Sequence, residues 1–153
     1  ELFKTMAGIN LVHVPYKGAG PAVSGLLAGE VQVIFGSSGG IIPHAKAGRI
    51  KALAVTGSKR TAIAPEIPTI GESGLPGFEV TGWYALLAPA RTPNAVIAKL
   101  NATANRALPD LRERYAALGV DVVGGAPAEL SAVIRSEIEK WSKVVKQSGA
   151  RID

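Results

Sequence analysis

Two apolar segments of this chain each run into a glycine-rich turn that opens directly into a helical pattern. Residues 11–16, rich in Val, lead into Gly18-Ala19-Gly20-Pro21. Residues 31–35, Val-Gln-Val-Ile-Phe, lead into Gly36-Ser37-Ser38-Gly39-Gly40. A β-branched segment, a glycine turn and a helix, repeated in tandem, predict an α/β chain with its turns at the carboxyl ends of strands. Pro21 falls in the first turn of its helix, where a missing N–H costs little. Leu26 and Leu27 carry that helix to Gly29. A short helix over residues 41–47 follows the second turn, with Gly48 in the position of a C′ glycine.

A third strand is expected over residues 50–56. A polar loop of about 20 residues then holds Pro65, Pro68, Gly71, Gly74, Pro76 and Gly77, and loops of that length commonly hide a short helix. Residues 69–73 are the place for one. Residues 78–88 form a long extended apolar segment. Beyond Pro89 the pattern becomes helical. Thr92-Pro93 reads as an N-cap and an N1 proline, and Asp110 as the cap of a second helix over residues 111–118. Residues 120–123 read as a short strand. A last helix opens at Pro127 and carries Leu130, Ile134, Ile138, Trp141 and Val145 on one face. The change of character near Pro89 predicts a lobe boundary. At the other end, residues 1–7 read as a helix with no N-cap ahead, as expected for a chain cut from something longer.

Composition narrows the chemistry. Of the 153 residues, 47% are hydrophobic, which argues against disorder. Cysteine is absent, so disulfides and thiolate chemistry are excluded. The net charge is +5, but Lys and Arg are dispersed, with Lys59-Arg60 the one adjacent pair. No basic stripe interleaved with aromatics is present, so nucleic acid is not an expected partner. No metal site and no cofactor are expected. His13 on an apolar strand reads as a packing or edge residue, and His44 as surface. Glu66, Glu72 and Glu79 have no evident partner in the sequence.

The turn Gly36-Ser37-Ser38-Gly39-Gly40 fits G-x-S-x-G between a strand and a helix, as a nucleophile elbow would. A serine hydrolase needs a later histidine, and none follows His44, so the chain is not expected to be an enzyme. The same residues suit an anion better. A helix N-terminus exposes unpaired N–H groups and partial positive charge, glycines admit a ligand close to the backbone, and serine hydroxyls add donors. Tyr16-Lys17-Gly18 enters the other helix in the same way. Gly18-x-Gly20 begins a dinucleotide fingerprint, but Val23 replaces its third glycine.

The ordered series His13-Val-Pro-Tyr-Lys-Gly-Ala-Gly20, Leu27-Ala-Gly-Glu-Val-Gln-Val-Ile-Phe35, Pro43-His-Ala-Lys-Ala-Gly48, Lys51-Ala-Leu-Ala-Val-Thr56, Ile67-Pro-Thr69, Gly74-Leu-Pro-Gly77 and Trp83-Tyr-Ala-Leu-Leu-Ala-Pro89 resembles the substrate-binding proteins of tripartite tricarboxylate transporters, the Bug receptors. The resemblance runs over essentially the whole chain. It implies a periplasmic, two-lobed α/β receptor of periplasmic-binding-protein type II, about twice this length, that captures a small organic acid for a membrane permease. It places residues 1–82 in an incomplete second lobe, residues 83–89 in the crossing strand or hinge, and residues 90–153 with the first lobe. The ligand contacts it implies are Tyr16, Lys17, Gly18, Gly36, Ser37, Ser38 and Trp83. Many relatives carry an acid or a longer polar side chain where this chain has Gly36-Ser37, so a plain carboxylate is expected over an amino acid. A stand-alone interaction module is the other reading, and dimerisation or a domain swap is expected of a chain with half a cleft.

Overall fold

The computed structural model describes residues 1–149 and contains five helices: α1 (Leu2–Ala7), α2 (Ala19–Ala28), α3 (Ser38–Lys46), α4 (Asn94–Ala116) and α5 (Pro127–Ser148). Glycines end several of them as the pattern predicts. Gly29 closes α2 in the left-handed region at φ 78°, and the N–H of Glu30 returns to the carbonyl of Gly25 at 2.9 Å. Gly8 and Gly149 close α1 and α5 in the same conformation.

The C-terminal helices differ from expectation. Instead of two helices split at Asp110, α4 runs unbroken through Pro109. Proline has no N–H to give the carbonyl of Asn105 four residues back, so a break is the usual outcome. Here the turns that precede it are clamped from outside. The side chain of Asn105 donates to Gly125 O at 3.1 Å and accepts from Gly125 N at 2.9 Å, and Asn101 donates to the same carbonyl at 2.9 Å. These bonds fasten the segment leading into α5 along α4. Glu129 then receives the N–H of Ala126 at 2.9 Å, half of a capping box for α5.

The predicted strands are extended but carry no ladder. Among the described residues the one bridge is parallel, between Val55 and Thr69. Around it, Val55 N donates to Pro68 O at 2.8 Å, Ile70 N to Val55 O at 3.0 Å and Val80 N to Thr56 O at 2.8 Å. Among the described residues, segments 11–16, 31–35 and 120–123 make no such bonds to another extended segment, and Val12 is 87% and Val123 83% exposed. Strand-like sequence becomes sheet only where a neighbouring strand supplies the other half of each hydrogen bond.

The predicted helix over residues 69–73 is a single turn. It is capped reciprocally: Glu72 N donates to Thr69 Oγ1 at 3.0 Å, and Thr69 N donates to Glu72 Oε2 at 2.7 Å. α3 starts at Ser38, earlier than the predicted residue 41.

The core is small. Ile42, Ala64, Phe78 and Val144 are its buried apolar residues, and Phe3 on α1 packs its ring 5.5 Å from Phe35 and 5.9 Å, edge-on, from Phe78. The accessible surface is 11563 Å². A compact chain of 15.8 kDa exposes roughly 7,300 Å². The excess is partly apolar, with Leu53, Tyr84, Leu86 and Leu87 all well exposed.

Candidate functional site

Two loops hold six of the seven expected site residues, and each sits at the start of a helix. Gly18 is the N-cap of α2, at φ 108°, a conformation that favours glycine. Lys17 beside it is exposed. Tyr16 is half-buried because its ring lies against α2 at Gly25, where a Cβ would collide with the phenol. Its hydroxyl donates to Glu30 Oε2 at 3.1 Å. Partial burial, and then the hydrogen bond to Glu30, raise the phenol above its usual pKa, so it stays protonated as a donor.

The second loop enters α3. Ser37 is the N-cap, extended at φ −66° and ψ 142°, and Ser38 is the first helical residue. The side chain of Ser37 makes no capping bond, and its Oγ would lie 3.2 Å from a Cβ on Gly40, so it sits over the first turn. Gly36 leaves room for the side chain of Ile41, 2.9 Å from the position of a Cβ. The loop is therefore a helix start with two hydroxyls and little side-chain bulk. Among the described residues neither serine hydrogen-bonds to His13 or His44, so no nucleophile–base pair is assembled.

Trp83 is 44% exposed in the extended segment after Phe78, and no hydrogen bond or ring contact among the described residues joins it to either loop. What flanks that segment is α5. Lys140 Nζ donates to Glu79 O at 2.7 Å and stands 5.2 Å over the ring of Trp141, whose indole N–H donates to Glu137 at 2.7 Å.

Two of the three acidic residues without evident partners in the sequence, Glu72 and Glu79, find them. Arg60 Nε donates to both oxygens of Glu72, at 3.1 and 3.0 Å, and its Nη1 to Pro65 O at 3.1 Å. These bonds, followed by the backbone donor of Thr69, hold the Glu72 carboxyl below the usual carboxylate range. Ser58 donates to Glu79 at 3.1 Å. Two surface hollows, of about 340 and 530 Å³, lie away from both loops, one against Glu72 and Phe78 and one on α4 around Lys99 and Leu100.

The backbone is that of one half of a periplasmic binding protein. It is similar to that of the periplasmic binding protein BugD, with a TM-score of 0.82 and 34% identity over 97% of this chain and 51% of that one. It is similar also to R. palustris Rpa4515, solved with adipate, with a TM-score of 0.86 and 35% identity over 97% of this chain and 50% of that one. Residues 1–150 match the family model of the tripartite tricarboxylate transporter family receptor, and the chain belongs to that family. Among curated relatives, a UPF0065 protein from the tcbD-tcbE intergenic region of Pseudomonas sp. (strain P51) is 43% identical over 94% of this chain and 44% of its own length. The chain spans about half the length of the first curated relatives it matches.

Proposed function

We propose that the chain is part of a periplasmic receptor that captures a small carboxylate and presents it to the permease of a tripartite transporter. The observation that carries this is the adipate-bound relative, whose backbone the chain follows at a TM-score of 0.86 over half of that protein. In this reading a ligand carboxylate meets the N–H groups at the start of α3 and the hydroxyls of Ser37 and Ser38. Tyr16, Lys17 and Gly18 form the neighbouring wall, and Trp83 marks the crossing segment. The ligand-binding lobe spans residues 1–82, the hinge residues 83–89, and residues 90–153 belong with the other lobe. Closure of the two about the hinge follows binding.

Gly36-Ser37 supplies no negative charge for an ammonium group, so a plain carboxylate is bound in preference to an amino acid. The test is a titration of the chain within a polypeptide of its relatives' full length, against mono-, di- and tricarboxylates and amino acids. Stoichiometric binding of an acid is the expected result. Saturable binding of a free amino acid in its place overturns the ligand class.

A further inference from the structure

The start of α3 is walled on one side by the turn that ends α4. A Cβ placed on Gly39 would stand 2.7 Å from the carbonyl oxygen of Leu118. A Cβ placed on Gly119 would stand 2.7 Å from Ile63 Cδ1 and 3.1 Å from Ser38 Cβ. Gly39 lies inside a helix, where glycine is a poor choice on propensity, so its reason for being there is this close approach and not backbone freedom. Gly119 has both reasons, because its φ is 70°. The third side of the seam is also fixed: Lys46, at the far end of α3, donates to Ile63 O at 2.8 Å.

We infer that the Leu118–Gly119 turn is a positioning wall for the Ser37–Ser38 loop, and that the missing side chains of Gly39 and Gly119 set the gap between them. The inference rests on the reading of that loop as the carboxylate contact. The loop belongs to the segment before the proposed hinge and the turn to the segment after it. Two parts of the chain therefore meet beside the ligand contact, and the width of the seam limits the bulk a ligand can carry where its carboxylate meets α3. Leu118 and Gly119 act through the loop they press on and are positioning residues.

Disulfide trapping tests this, because the chain has no cysteine of its own. With Ser38→Cys and Gly119→Cys, in a background of Ile63→Ala that removes the atoms a Cβ at 119 would otherwise meet at 2.7 Å, the two Cβ positions start 3.1 Å apart, within a few tenths of an ångström of the span of roughly 3.5–4.5 Å that a disulfide needs. Mild oxidation is expected to give an intramolecular bond, seen as faster migration without reductant. Adding Gly39→Val to the pair is expected to slow its formation by about tenfold or more, since the new side chain meets a backbone carbonyl that cannot rotate away. Adding Gly20→Ala, where a Cβ meets nothing within 4 Å, is expected to leave the rate unchanged. Only intermolecular bonds, or a rate indifferent to Gly39→Val, overturn the seam. In the unsubstituted chain a nuclear Overhauser contact between Gly119 Hα and the Ile63 δ-methyl group is expected, and its absence from a folded sample also overturns the proposal. Amide shifts of Ser37, Ser38 and Gly119, followed in the unsubstituted sequence within a polypeptide of its relatives' full length as adipate is added, separate the two claims. Saturable shifts at all three support loop and seam together. Adipate binding detected by titration that leaves these shifts unmoved removes Ser37 and Ser38 from the site and with them the wall's role in positioning, while the trapped bond still reports the contact.

Discussion

The hydroxyl of Tyr16 reaches back over α2 to Glu30, at 3.1 Å, with the phenol end of its ring so close to Gly25 that no side chain could be placed there. The two ends of α2 are joined through one phenol. The loop that opens the helix is thereby braced by the residue that follows its close.

That bracing makes Gly25→Ala an exception to helix propensity. Replacing an interior helical glycine with alanine ordinarily gains about 1 kcal/mol. At position 25 the added methyl displaces the Tyr16 ring, so the variant is expected to be less stable than the parent in urea. Gly20→Ala on the same helix, with open space beside it, is expected to gain roughly 0.4–1 kcal/mol. Equal gains at both positions would contradict the packing of Tyr16.

Tyr16→Phe keeps the ring and loses only the exposed bond to Glu30, so a small loss of stability is expected. Because the hydroxyl is already engaged, its removal is expected to weaken carboxylate binding less than Ser37→Ala or Ser38→Ala does. Titration of the three variants in the full-length setting ranks them, and a larger effect from Tyr16→Phe would move the main contact to the first loop.

The Glu72 carboxyl sits below its ordinary pKa because Arg60 and the Thr69 N–H favour its charged form. A depressed folded-state pKa contributes stability that is present above the ordinary carboxylate range and lost as pH falls through the folded value. The single turn at residues 69–73 is therefore expected to loosen in acid, starting near pH 4–5. Amide protection factors at Thr69 and Glu72, measured against the intrinsic exchange rate at each pH from 7 to 3, read this directly. Glu72→Gln is expected to remove most of their pH dependence. Protection that is flat with pH in the parent would contradict the role given to this carboxylate.

How far the sequence was legible follows from what each feature depends on. The helix ends at Gly29 and Gly149 and the helix start at Gly18 could be read because caps are local chemistry, whereas the start of α3 was placed at residue 41, one turn too late, because Gly39-Gly40 reads as turn. Thr69-x-x-Glu72 was equally local, a capping box that a search for threonine followed by glutamate at that spacing would have found. The passage of α4 through Pro109 was not legible, because it coincides with a clamp from Asn101 and Asn105 onto Gly125, far along the chain. The strands illustrate the same limit. Residues 11–16 and 31–35 have strand composition, but pairing needs a neighbour, and these segments are extended without one. The seam at Gly39 and Gly119 was hidden for a similar reason. Each glycine looked like an ordinary turn or helix residue until the other was placed beside it.

The exposed apolar segments carry a prediction about association. Val12, Leu53, Leu86 and Leu87 are 87%, 63%, 78% and 71% exposed, and extended segments with free edges pair with one another. The chain by itself is expected to associate with rising concentration, as a dimer or an exchanged pair, in light scattering. A monomer across the whole accessible range would show that these edges are protected in another way.

The most direct test of the receptor reading is isothermal titration of the chain, within a polypeptide of its relatives' full length, against adipate and a panel of other carboxylates. The account predicts saturable binding of one acid per polypeptide, weakened by Ser38→Ala. A folded protein that takes up no carboxylate in the panel would contradict it.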